Sequence, residues 1–119
     1  MAQKILIVDD DSATLKLLQS FLATKGFDVE IAEDGLSGLE KVKQGCPDLI
    51  VLDVMMPRMD GYGFVREIKK DARFRRVPII VLTAREMMRD VFLQEGIQDF
   101  VVKPYDPEEL LKTLLKYLQ

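Results

Sequence analysis

The stretch DLIVLDVMMPRMDG, residues 48–61, decides how the chain folds. Leu49–Leu52 is continuously apolar, without the in–out alternation of a half-exposed strand, so it reads as a strand covered on both faces. A carboxylate, Asp53, closes the run, and two methionines, Pro57 and a turn follow. Acids are rarely set at the mouth of a core strand without a partner, because an uncompensated charge there is costly. Two more runs share this texture: Ile5–Val8, which leads into Asp9 and Asp10, and Ile79–Leu82, which leads into Thr83. Phe100–Val102 is shorter and leads into Lys103. FDVEI, residues 27–31, alternates polar and apolar around the strand Val29–Ile31 and belongs at a sheet edge.

Helical spacing fills the intervals. Ser12–Lys25, capped by Asp11 or Ser12, gathers Thr14, Leu17, Leu18, Phe21 and Leu22 on one face, and Gly26 stops it. Its apolar arc is wider than one buried stripe needs, which leaves Leu15 at the margin as an exposed residue. Gly35–Lys43 carries Leu36, Leu39 and Val42, and Asp60 opens a helix that buries Phe64, Val65 and Ile68. Met87–Glu95 is a shorter helix ended by Gly96. Pro107–Leu118 begins with proline and two glutamates and presents Leu110, Leu111, Leu114 and Leu118. Five strands alternating with helices imply a parallel sheet with helices on both faces. With the second strand at an edge, right-handed crossovers favour the order 2-1-3-4-5, that of flavodoxin-like doubly wound α/β folds.

Composition narrows the function. A chain of 119 residues makes one domain, residues 1–119, and 48% apolar with 31% charged residues is ordinary for a globular protein. A net charge of −3 argues against direct nucleic-acid binding. No apolar run approaches the roughly 18 residues of a membrane span, and three early acids argue against a secretory leader. Cys46 is the sole cysteine and histidine is absent, so any metal is held by oxygen. A cytoplasmic location is the resulting expectation.

In open α/β sheets, chemistry gathers beyond the carboxyl ends of the strands, where strand order reverses. There the proposed order collects Asp9, Asp10 and Asp53, with Thr83 and Lys103 alongside. Singly, each residue has an ordinary use as a helix cap, a turn former or a solvated charge. Together they do not. Two unit charges about 4 Å apart repel by roughly 4 kcal/mol at an effective dielectric near 20, and one lysine cannot balance three carboxylates. A hard divalent cation such as Mg²⁺ can, and a nucleophilic carboxylate, a hydroxyl and an ammonium are then the parts needed to accept a phosphoryl group.

The motifs ILIVDDD, DLIVLDVMMPRMDG, PIIVLTA and DFVVKPYDPEEL, in that order, resemble the receiver domain of two-component response regulators over essentially the whole chain. The likeness extends to the single-domain chemotaxis regulator type. It implies a signalling switch in a phosphorelay, a phosphoprotein rather than an enzyme acting on other molecules. It would catalyse its own phosphorylation and slow dephosphorylation. Asp53 would accept the phosphoryl group from a histidine kinase or histidine phosphotransferase. Asp10 would bind Mg²⁺ directly, Asp9 would help, and Met55 would offer its backbone carbonyl. Thr83 and Lys103 would contact the phosphoryl oxygens, and Phe100 would turn into the space that Thr83 leaves. A cis Lys103–Pro104 bond is part of the same resemblance. The surface of the Met87–Glu95 helix, the fifth strand and the Pro107–Leu118 helix would then control a downstream effector or output domain.

Partner contacts follow from the same picture. Leu15 would receive the phosphodonor beside the acidic mouth, while Met87, Met88 and Tyr117 would serve the output face. The stretch from Thr83 to Gly96 is shorter than the family commonly shows, which predicts a monomer or a weak dimer. Met55 and Arg85 flank the route of an attacking water and offer no base at neutral pH. The alternative is a Mg²⁺-dependent aspartyl-phosphate phosphatase of the haloacid dehalogenase type. That class sets its nucleophile after the first strand in a DxD pattern, which this chain resembles less.

Overall fold

The computed structural model describes residues 2–53, 61–83 and 96–118. Five strands, β1 (Lys4–Val8), β2 (Asp28–Ala32), β3 (Leu49–Asp53), β4 (Ile79–Thr83) and β5 (Asp99–Val102), form one parallel sheet in the order 2-1-3-4-5. Among the described residues four helices cover it: α1 (Ser12–Thr24), α2 (Gly35–Gly45), α3 (Gly61–Lys70) and α4 (Pro107–Leu115). The expected Met87–Glu95 helix and the Asp60 cap lie outside the described residues.

The unbroken apolar runs are explained by two cores, one on each face of the sheet. Ile5, Ile7, Leu49 and Val51 pack towards α1 and α4, beside Leu18, Leu22, Leu110 and Leu114. Their neighbours Leu6, Val8, Ile50 and Leu52 point the other way, into α2 and α3 with Val42, Phe64 and Ile68. Alternate residues of one strand therefore serve opposite cores, and none can be polar. Edge strand β2 is only half-buried at Val29, Glu30 and Ile31, as its alternating sequence predicts.

Local chemistry sets the helix ends. Asp11 caps α1, its carboxylate accepting from the Ala13 amide and the Thr14 hydroxyl. Asp34 accepts from the Ser37 amide at the start of α2, and Asp106 from the Glu108 amide at the start of α4. Gly26, at φ 92°, turns the chain out of α1 in a conformation that favours glycine. Cys46 takes the same left-handed role after α2, at φ 34°, and is exposed.

Two expectations about helix faces are corrected. Leu15 is buried at 1% exposure and lies inward with Leu18 and Leu22, whereas Leu17 is 61% exposed. The apolar arc of α1 is wider than the stripe that the sheet can cover, so periodicity alone does not decide which margin turns inward. On α2, Leu36 is exposed and the inward positions are Gly35, Gly38 and Val42. A Cβ at Gly38 would stand 3.0 Å from both Phe64 Cε2 and Val8 Cγ2, so the bare glycine is what lets α2 lie this close.

This rotation of α1 sets a test. Leu15→Ala is expected to cost about 2–5 kcal/mol of unfolding free energy, as buried leucine truncations do, and Leu17→Ala less than about 0.5 kcal/mol. Urea unfolding of the two variants checks it; equal losses would return Leu17 to the core.

Candidate functional site

The carboxyl ends of the strands bring the site residues together. Val8 pairs with Leu52 in the β1–β3 ladder, so Asp9, one residue further, stands beside Asp53. Asp53 is itself the last ladder residue of β3, in register with Leu82 of β4. Thr83 closes β4 opposite Val102, and Lys103 follows directly. One carboxylate oxygen each from Asp9, Asp10 and Asp53 lies within 4.8 Å of the others. Asp9 and Asp53 are buried, at 1% and 5% exposure, while Asp10 faces solvent.

Each acid is held differently. Lys103 Nζ reaches Asp53 Oδ2 at 3.2 Å, an ion pair between groups 50 residues apart. The Lys103–Pro104 peptide is cis, as the family resemblance predicts. The Asp9 amide donates to the Ala32 carbonyl at 3.1 Å, and Asp9 Oδ1 accepts from the Asp11 amide at 3.0 Å. Asp9 Oδ2 is fully buried and has no hydrogen-bond partner among the described residues.

Burial pushes the Asp9 carboxyl up to about 6, with the Asp53 charge adding to it and the Asp11 amide and Lys103 opposing. Two ionised carboxylates can only accept hydrogen bonds, so a shared proton or a cation must satisfy that orphaned oxygen. An all-oxygen donor set with one unsatisfied buried atom fits a hard divalent cation such as Mg²⁺.

The remaining expected residues are distributed as follows. Phe100 is half-buried against the α2–α3 core. Tyr117 packs against the α1–α4 core, its hydroxyl 2.9 Å from Asp99 Oδ2 and 3.2 Å from the Gln98 carbonyl, so it is tied to β5 rather than presented freely. Leu15, expected at an exposed margin beside the mouth, is in the core. Met55, Arg85, Met87 and Met88 lie outside the described residues.

The structure adds a residue that the motifs left without a role. Tyr105 is half-buried, and its hydroxyl is pushed up to about 12, chiefly by burial and then by the Asp9 and Asp53 carboxylates. It lines a groove of about 610 Å³ with Leu17, Thr14, Pro104, Pro107 and Lys103, between α1 and the start of α4. Its only sequence signal was its position two residues beyond the strand-end lysine.

The chain belongs to the response regulator receiver domain family, which it matches over residues 5–115. It is 44% identical over 110 residues to the "Probable transcriptional regulator ycf27" of Guillardia theta, a match that covers 91% of this chain and 42% of that protein. The chain spans about half the length of the curated relatives it matches. The chemotaxis response regulator CheY4 of Vibrio cholerae has the same fold, with a TM-score of 0.94 and 33% identity over 99% of this chain and all of that one. The receiver domain of the sensor histidine kinase PA1611 from Pseudomonas aeruginosa, whose structure has a magnesium ion coordinated in its active-site cleft, matches with a TM-score of 0.89 and 33% identity over 98% of both chains. The chain is thus a response regulator receiver domain of two-component signalling.

Asp9 binds its proton more tightly in the folded than in the unfolded chain. Folding stability should therefore fall as pH rises from about 4 through about 6 and level off above. In EDTA, the wild type is expected to lose on the order of 2–3 kcal/mol relative to Asp9→Asn between about pH 4 and pH 7, with Mg²⁺ recovering much of it. Paired urea titrations across that range measure it. Parallel curves for the two proteins would show that Asp9 is not strained by its surroundings.

Proposed function

We propose that residues 1–119 form one phosphorylation-dependent switch domain whose phosphoacceptor is Asp53. The observation that supports this best is the meeting of a buried Asp53, its lysine partner and two further carboxylates at the strand-order reversal. Asp53 Oδ attacks the phosphorus of a phosphohistidine in line; the O–P bond forms as the P–N bond breaks, and the imidazole nitrogen keeps that electron pair. Lys103, already at Asp53, takes up charge on the phosphoryl oxygens, and Thr83 offers them a hydroxyl. Asp9, Asp10, Asp53 and the Met55 carbonyl would hold Mg²⁺, which would supply the remaining charge neutralisation. Added charge at Asp53 draws Thr83 inward and biases Phe100, which shifts a two-state equilibrium towards the signalling form.

The donor is a histidine kinase or a histidine phosphotransferase. It seats on the groove beside the mouth, where Leu17 takes the place first expected for Leu15. Signal leaves through β5, α4 and the Met87–Glu95 segment to a downstream effector or output domain; Met87 and Met88 contact it, and Tyr117 supports that face through β5. The domain itself makes no direct nucleic-acid contact, stays monomeric or weakly dimeric, and works in the cytoplasm. It acts once per phosphoryl group and is not a general phosphatase.

With acetyl phosphate and Mg²⁺, intact-mass measurement should show one added phosphoryl group in the wild type and none in Asp53→Asn or in EDTA. Labelling that survives Asp53→Asn would overturn the assignment. Multiple turnover of a phosphate ester would instead favour the haloacid dehalogenase type of chemistry.

The acyl phosphate should persist for minutes or more in Mg²⁺ buffer, because neither Met55 nor Arg85 can act as a base towards the attacking water. Met55→Asn, whose carboxamide can orient that water by hydrogen bonding although it is no base, is expected to speed its loss several-fold. Loss within seconds in the wild type would show that another group activates the water.

A further inference from the structure

The segment Arg66–Arg76 carries six lysines or arginines and two acids, a net +4 in a chain whose total is −3, so the rest of the chain carries −7. The site at the carboxyl ends of the strands does not account for this concentration. The α3 crossover runs from the end of β3 back to the start of β4, which sets the segment at the opposite pole. Its acids are spent internally. Arg73 clasps Asp71 through two nitrogens at 2.8 and 3.1 Å, and Lys70 reaches Glu67 at 3.1 Å. Arg75, Arg76 and the nearby Lys43 are exposed and close no ion pair among the described residues, although the Lys43 charge is felt at Asp71.

A groove of about 400 Å³ opens within this patch, between α2 and the end of α3. Leu39, Val42, Ile68 and Phe74 form its apolar floor, and Lys43 and Lys70 stand on its rim. We propose that this groove docks an acidic protein segment, which seats a large aliphatic or aromatic side chain on the floor and sets carboxylates against Lys43, Arg75 and Arg76. Apolar anchoring in a groove with charged groups at its rim is the mode by which amphipathic helices bind.

Nucleic acid fits less well. A continuous phosphate backbone would run past Glu67 and Asp71, which also line the groove, whereas a peptide can set an uncharged side chain there and place its carboxylates beyond them, at Arg75 and Arg76. The inference stands apart from the assignment of Asp53, since it uses none of the residues at the acidic mouth.

The probe is a fluorescein-labelled helical peptide of Glu, Ala and Leu with leucines at i, i+3, i+4 and i+7, tested by fluorescence anisotropy. A control peptide replaces every Glu with Lys. Saturable, salt-sensitive binding of the acidic peptide alone is expected, weakened about tenfold or more by Arg75→Glu/Arg76→Glu. Ala72→Trp, which fills the groove from an exposed position without altering charge, should weaken it as well. Unchanged unfolding midpoints would confirm that both variants fold. No binding below about 1 mM peptide, equal binding of the lysine peptide, or binding indifferent to both variants would overturn the proposal. Tighter binding of a DNA duplex, or self-association lost in the arginine variant, would overturn it in favour of nucleic acid or a second copy.

Discussion

Asp9 and Asp53 bring two carboxylates into a largely dry space at the ends of adjacent strands, and the architecture around them answers that concentration of charge. The two acids meet because the chain crosses from β1 through β2 to β3, which makes the first and third strands neighbours. Lys103 reaches Asp53 because β5 is the far strand of the same sheet and its carboxyl end leads back to the mouth. Removing Lys103 would leave the buried Asp53 carboxylate short of a compensating charge, so the half-exposed lysine and the buried acid constrain each other as much as they stabilise the fold. Asp9 has no equivalent ion pair among the described residues, and its burial, with the Asp53 charge beside it, raises its affinity for a proton.

The two cores make this arrangement rigid enough to matter. Because every residue of Ile5–Val8 and Leu49–Leu52 is packed on one face or the other, a one-residue slip of β1 or β3 would exchange both cores at once. The spacing of the carboxylates is thereby fixed by side chains far from them. Gly38 plays a comparable part on the α2 side, where close approach of the helix closes the core over Val8, the residue just before Asp9. Packing and charge are thus joined at the end of β1.

Much of this was legible in the sequence, and for identifiable reasons. Strands covered on both faces leave continuous apolar runs, so β1, β3 and β4 announced themselves, and the alternation in FDVEI marked β2 as an edge. The site could be read because polar residues follow those runs at the strand ends, where the topology gathers them. What stayed hidden depends on rotation and depth. Five apolar residues on α1 do not say which of Leu15 and Leu17 faces the sheet, because both fit an amphipathic arc. The leucine pattern of α2 pointed at Leu36, whereas the close approach rests on glycines, which carry no apolar signal. Tyr105 sits in a short connection without periodicity, and only its position near the carboxylates gives it meaning.

The ladder position of Asp53 has a mechanical consequence. An acid in a loop could move its backbone aside when its charge changes. Asp53 cannot do so readily, since its strand runs between β1 and β4 and the residue itself pairs with Leu82. The sheet is stiff at this point, so work done on the Asp53 side chain is not lost in backbone displacement. On the proposed phosphoacceptor role, it would pass instead to side chains that can rotate. A reactive group mounted on a rigid element turns a small local change into motion elsewhere, much as a fixed anvil returns a blow.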